Sequence, residues 1–242
     1  MGLAFQGVWV GLYLLSYGNA LIPSLSSRKT RAQVAVSVVD NVDDVTQARS
    51  AFGTKTYWDE VYEGRGDFPA DEYSWYYGWD TLKPYVTSHV PKSAKILLPG
   101  VGNDPVLLDL VKAGYRFLTA QDYSSYAIDR QKDLLSYEDT QATIQVQLSI
   151  GDVRKLPQDW NGAYDAVLEK GLLDAVYLSG DGNLEQAVES LTRVLRPGGI
   201  LISVSGVVPE DLRRIAFGAG WEWLRDGGAD LQAGCFVFRK TI

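Results

Sequence analysis

From residue 93 onward the apolar positions fall into short unbroken runs separated by stretches of helical spacing. The runs at 95–98, 116–120, 144–148, 164–168 and 200–204 carry aliphatic, β-branched and aromatic side chains over about a strand's length. Between them, 106–113, 125–137 and 184–194 repeat apolar residues at the intervals of one helix face. That alternation predicts an α/β fold, a mostly parallel sheet with helices on both faces. Arg196-Pro197-Gly198-Gly199 reads as the stop and turn that feeds the fifth strand, and 221–224 with 235–239 as a closing antiparallel pair.

The first strand ends in Pro99-Gly100-Val101-Gly102-Asn103-Asp104-Pro105. Asp is a preferred helix N-cap and Pro is favoured at the first helical position, so a helix should open at Asp104-Pro105 with backbone N–H groups facing the turn. Such an end attracts anions and polar groups, and the bare Gly100 and Gly102 let a ligand lie against the backbone. The second run ends in Gln121-Asp122-Tyr123-Ser124, which puts an acid about 20 residues beyond the glycines, where nucleotide-binding folds hold ribose hydroxyls. No third glycine follows between Asn103 and Pro105, which favours a nucleoside ligand without a pyrophosphate.

Composition narrows the chemistry. The chain of 242 residues is 46% hydrophobic and 22% charged, as expected of one domain with a sizeable core, and its net charge of −7 argues against a non-specific nucleic-acid binder. Cys235 is the single cysteine and His89 the single histidine, so one chain holds no disulfide, no Cys/His metal site and no Cys–His dyad. His89 lies in a loop-like stretch, where a surface position is expected.

Residues 1–50 differ from the rest. Residues 4–17 are apolar, Gly18-Asn19-Ala20 supplies small residues, and a stretch rich in Ser and Arg and free of acids follows up to Asp40. A two-part removable presequence, a membrane anchor and an accessory helix all stay open, with import into an organelle such as a plastid implied by the first reading and cytoplasmic residence otherwise. Once a presequence is removed, no stable membrane insertion is expected. Residues 51–242 then form the folded domain, prefaced at 51–91 by an aromatic-rich segment. Trp58 and Tyr62, four apart, share a face if helical, and 64–71 reads as a disordered-looking connector before Trp75. The preface could pack on the sheet or close over a ligand.

With these motifs in place the core resembles the class I S-adenosylmethionine-dependent methyltransferases from about Phe52 onward. The likeness rests on the glycine turn, Asp122, Gly151-Asp152-Val153 after the third strand, and Leu195 with Arg196-Pro197-Gly198-Gly199 before the fifth. Tyr57-Trp58-Asp59-Glu60-Val61-Tyr62, Gln121-Asp122-Tyr123-Ser124-Ser125, Asp152-Val153-Arg154-Lys155-Leu156 and Leu168-Glu169-Lys170-Gly171-Leu172-Leu173-Asp174-Ala175 are similar to signatures of elongation factor 1-alpha lysine methyltransferase 4 and its relatives. The resemblance implies a Rossmann-like, seven-stranded sheet, S-adenosyl-L-methionine as cofactor, and a protein lysine as acceptor, with a translation elongation factor as partner.

Carried over by position, it implies Gly100 beneath the methionine part, Asp122 on the ribose hydroxyls, and Tyr123 beside the adenine. Asp152 would accept from the adenine amino group while the Val153 N–H meets a ring nitrogen. Trp58, Tyr62, Trp75 and Lys170 match further cofactor-contacting positions. An ammonium at Lys170 can pair with a carboxylate, and a structural salt bridge to Glu169 or Asp174 is the alternative. Pro99 and Val101 depart from the family pattern without removing the two glycines. Glu169 and Asp174 are candidate amine-orienting carboxylates. A small-molecule O-, N- or C-methyltransferase and a cofactor-binding protein without turnover remain alternatives, because fold does not fix substrate.

Overall fold

The computed structural model describes residues 51–136, 145–180, 182–227 and 233–242. The presequence reading of 1–50 lies outside them. Two helices open the domain, α1 (Lys55–Glu63) and α2 (Trp79–His89). The remainder alternates as β1 (Lys95–Pro99), α3 (Val106–Lys112), β2 (Phe117–Asp122), α4 (Ser125–Ser136), β3 (Gln145–Ile150), β4 (Tyr164–Lys170), α5 (Leu172–Leu178), α6 (Asn183–Val194), β5 (Leu195–Ser205), α7 (Glu210–Phe217), β6 (Trp221–Arg225) and β7 (Gly234–Lys240). Thr54 caps α1 by accepting the Tyr57 N–H, and Gly64 ends it at φ +91°, a left-handed position that glycine adopts without a Cβ clash.

The seven strands lie in the order β3-β2-β1-β4-β5-β7-β6. The first five pair in parallel, and β7 runs antiparallel to both β5 and β6. The expected architecture is therefore the observed one. Alternation along the strands sorts the core into two layers. Ile96, Leu98, Ala166, Leu168, Ile200 and Ile202 face α2, α3 and α4, while Leu97, Val167 and Leu201 face α5, α6 and α7. Each such fully buried aliphatic side chain contributes about 1.5–3 kcal/mol relative to exposure.

Beyond shifts of one or two residues at element ends, two places differ from the sequence reading. Residues 196–199 do not stop the chain before β5. They are carried within the strand as an irregular excursion, with Leu195 opposite Tyr164 and Ile200 opposite Ala166, and the left-handed Gly198 (φ +74°) permits the bend. His89 is the last residue of α2 and half-buried, not a loop residue, since the apolar Leu82 and Val86 draw that helix onto the sheet.

From β1 the chain steps outward to β2 and β3, then returns to β4 on the other side of β1. This reversal opens a crevice at the carboxyl ends of β1 and β4, the place where such sheets bind ligands.

Candidate active site

The glycine turn lines that crevice. Gly100 and Gly102 sit at φ +59° and +57°, and both are closely covered. A Cβ on Gly100 would fall 2.6 Å from Leu172 Cδ1, and one on Gly102 would fall 2.7 Å from Tyr62 Oη. The Gly102 N–H donates to Asp122 Oδ2 at 2.9 Å, and the Ser124 N–H donates to Oδ1 at 2.9 Å. Burial pushes the Asp122 carboxyl from its ordinary 3.8 up to about 6, against the pull of these N–H groups. Each oxygen retains lone-pair capacity for a further donor.

The aromatic residues singled out in the preface converge over this turn. Trp58 stacks on Tyr62 with centroids 5.9 Å apart and meets Trp75 edge-on at 5.4 Å, while its Nε1 donates to the Phe52 carbonyl at 2.6 Å. Tyr62 is buried with Val61 and Ala127. Tyr123 follows Asp122 and donates its hydroxyl to the Thr54 carbonyl at 3.2 Å. Asp152 and Val153 stand beyond β3, where the Asp152 side chain caps a short 3-10 turn, Val153–Lys155. The Arg154 guanidinium grips both Asp152 oxygens, with contacts of 2.6–3.0 Å, and reaches Asn183 Oδ1 at 2.8 Å.

Lys170 has a partner that the sequence reading did not name. Its ammonium pairs with Asp104 of the glycine turn, the two side chains only 5% and 7% exposed, and also donates to the Tyr77 carbonyl at 2.9 Å. The alternatives of Glu169 and Asp174 give way to Asp104 because β1, which leads into the glycine turn, lies beside β4, which ends at Lys170. Helix α3 itself starts one residue later than expected, with Pro105 as its N-cap, and Asp104 accepts the Val106 N–H at 3.0 Å just ahead of it.

Glu169 and Asp174 turn inward. Glu169 is fully buried and accepts the Ser203 hydroxyl and, at 3.2 Å, the Leu173 N–H. Burial pushes its carboxyl from 4.5 up to about 7. An acid raised in this way stabilises the fold fully below its unfolded value, and that contribution is lost as pH climbs through the folded value. Wild type should therefore lose about 3 kcal/mol relative to Glu169→Gln between pH of about 4.5 and 8. Urea unfolding across that range tests this, and parallel stability curves would refute it.

Three contributors carried no signal beyond adjacency to the motif. Asn103, 1% exposed, gives its amide to the carbonyls of Pro69, Ala70 and Asp71 at 2.9, 3.3 and 2.5 Å. The connector at 64–71 is thus held in place, contrary to its disordered-looking composition, because one buried amide gathers three of its carbonyls. Gln131 of α4 donates to the carbonyls of Gly102 and Asp104 at 2.8 and 2.9 Å, bracing the turn from behind. Tyr76 donates its hydroxyl to Asp174.

The chain is similar to known proteins. A family model described as a methyltransferase domain matches residues 97–203. EEF1A lysine methyltransferase 2 of Homo sapiens is 31% identical over 189 residues, covering 73% of this chain and 78% of that one. EEF1A lysine methyltransferase 4 of Bos taurus is 26% identical, covering 75% and 72%. Among solved structures, one concerning the conversion of a disulfide bond into a thioacetal group during echinomycin biosynthesis superposes with a TM-score of 0.59 at 19% identity, covering 76% of this chain and 92% of that one. The glycopeptide N-methyltransferase MtfA, complexed with S-adenosyl-L-homocysteine, gives 0.55 at 14%, covering 71% and 92%. These two likenesses speak to the fold alone.

Proposed function

The chain belongs to the class I S-adenosylmethionine-dependent methyltransferases, and from that premise we propose that it methylates a lysine side chain of a protein, with a translation elongation factor of the 1-alpha type as its partner. Its cofactor is S-adenosylmethionine. The observation that carries the proposal is the 31% identity to a relative named for EEF1A lysine methylation, extending over most of both chains.

The site's donor set suits the cofactor. When bound, S-adenosylmethionine supplies a methyl group made electrophilic by its sulfonium. Asp122 would take the ribose hydroxyls on its remaining lone pairs, with Tyr123 beside the adenine and Gly100 beneath the methionine part. Asp152 would accept from the adenine amino group, sharing its oxygens with Arg154, and the Val153 N–H would meet a ring nitrogen. Trp58, Tyr62 and Trp75 cover the glycine turn and keep water out, so that a desolvated amine loses its proton more readily. Lys170, engaged by Asp104 and Tyr77, fixes the turn and the segment at 73–77 relative to one another. The rest is alignment, since in-line displacement gains most from a fixed geometry.

The test is transfer of a labelled methyl group to purified elongation factor 1-alpha and to a lysate, followed by peptide mapping. Label on a lysine of the factor is the expected result. Label confined to small molecules would refute the proposal and favour a small-molecule methyltransferase.

A further inference from the structure

Tyr76 is the single non-glycine residue with positive φ among the described residues, at +64°. The Tyr77 N–H donates to the Trp75 carbonyl at 2.8 Å, closing a three-residue turn around it. For an aromatic side chain this is a sparsely populated, strained conformation, of the sort that persists where surrounding structure imposes it. The turn delivers the ring into a slot between the ends of β4 and β5. A Cβ on Gly206 would lie 3.0 Å from Tyr76 Cε1 and 3.3 Å from its Oη, and one on Gly171 would lie 3.5 Å from Cε2. Two glycines thus leave the space that this ring takes, at the carboxyl ends of the strands that border the crevice.

The hydroxyl is oriented as tightly as the ring. It donates to Asp174 Oδ2, and Asp174 is itself fixed by the Gly206 N–H at 2.9 Å, the Val207 and Val208 N–H groups at 3.0 Å and the Ser205 hydroxyl at 2.5 Å. Asp174 is 4% exposed, so it does not itself reach an incoming acceptor. With its hydrogen given to Asp174 and the Gly206 backbone N–H beside its oxygen, the Tyr76 hydroxyl can act on a further group only through an oxygen lone pair.

We propose that Tyr76 orients the acceptor amine, its oxygen accepting one N–H of the neutral lysine so that the nitrogen lone pair faces the methyl group. This rests on the lysine reading of the site. The nitrogen lone pair forms the new N–C bond while the C–S bond breaks and its electron pair stays on sulfur. The methylated ammonium then sheds a proton to water, and Tyr76 and Asp174 end unchanged. A neutral phenol suits this task better than a bare carboxylate, which would stabilise the non-nucleophilic ammonium. The geometry therefore makes Asp174 a positioning residue acting through Tyr76.

Tyr76→Phe keeps the ring, the slot and four of the five donors to Asp174, so the variant should fold. Its kcat on the protein acceptor is expected to fall about 10- to 100-fold, the range for losing a well-placed hydrogen bond. S-adenosylhomocysteine affinity by calorimetry and melting temperature should stay near wild type. Transfer to lysine by wild type with undiminished kcat in Tyr76→Phe would overturn the role of Tyr76 and leave the lysine reading standing. A loss of cofactor affinity matching the loss of rate would also overturn it. Wild-type transfer to a hydroxyl or carbon acceptor would instead overturn the lysine reading, and the amine-orienting role with it.

Discussion

Lys170→Met should lower the stability of the folded domain by about 3–5 kcal/mol, the cost of leaving one member of a buried ion pair alone. The side chains of Lys170 and Asp104 are 5% and 7% exposed, so water cannot replace the lost partner. Burial already pushes the Asp104 carboxyl upward, and the ammonium is the main force holding it down. The same substitution releases the Tyr77 carbonyl. Adding Asp104→Asn to the variant should restore much of the loss, because an amide oxygen still caps the Val106 N–H without a charge to bury. Urea unfolding of wild type, single and double variants checks this. A Lys170→Met protein of normal stability that has lost only cofactor affinity would assign the ammonium to the cofactor carboxylate instead.

Asp122→Ala should weaken S-adenosylmethionine binding by about 1–3 kcal/mol, or about 5- to 150-fold, as hydrogen bonds to a charged group are lost. A pH dependence accompanies it. The Asp122 carboxyl, raised to about 6, is ionised above that pH and protonated below it, so wild-type affinity should decline as pH falls through about 6. Stability has the opposite sign: an acid with a raised folded value favours the folded state most below 3.8 and loses that contribution as pH rises through about 6. Calorimetric titrations at several pH values would show the first trend in wild type and its absence in Asp122→Ala. Equal affinities for the two proteins would refute the ribose assignment.

What the sequence determined by itself was whatever depends on neighbours a few residues away. Unbroken apolar runs marked the strands because a sheet covered on both faces has no polar side. Gly100 and Gly102 marked the turn because only glycine combines left-handed backbone with a close neighbour, and Asp122 was legible from its spacing to them. The tertiary structure decided which polar groups meet. Lys170 and the Tyr77 carbonyl are 93 residues apart, Tyr76 and Asp174 98 apart, and Asn103 reaches back more than 30 residues to gather the connector. Charges and amides have no periodicity to betray their partners, since burial selects them only after the sheet has brought distant turns to one edge. For that reason the burial and internal hydrogen bonding of Glu169 and Asp174, the candidate amine-orienting carboxylates of the motif at 168–175, show only in the folded chain. The residue through which one of them acts, Tyr76, came from a loop whose strained backbone no composition could announce.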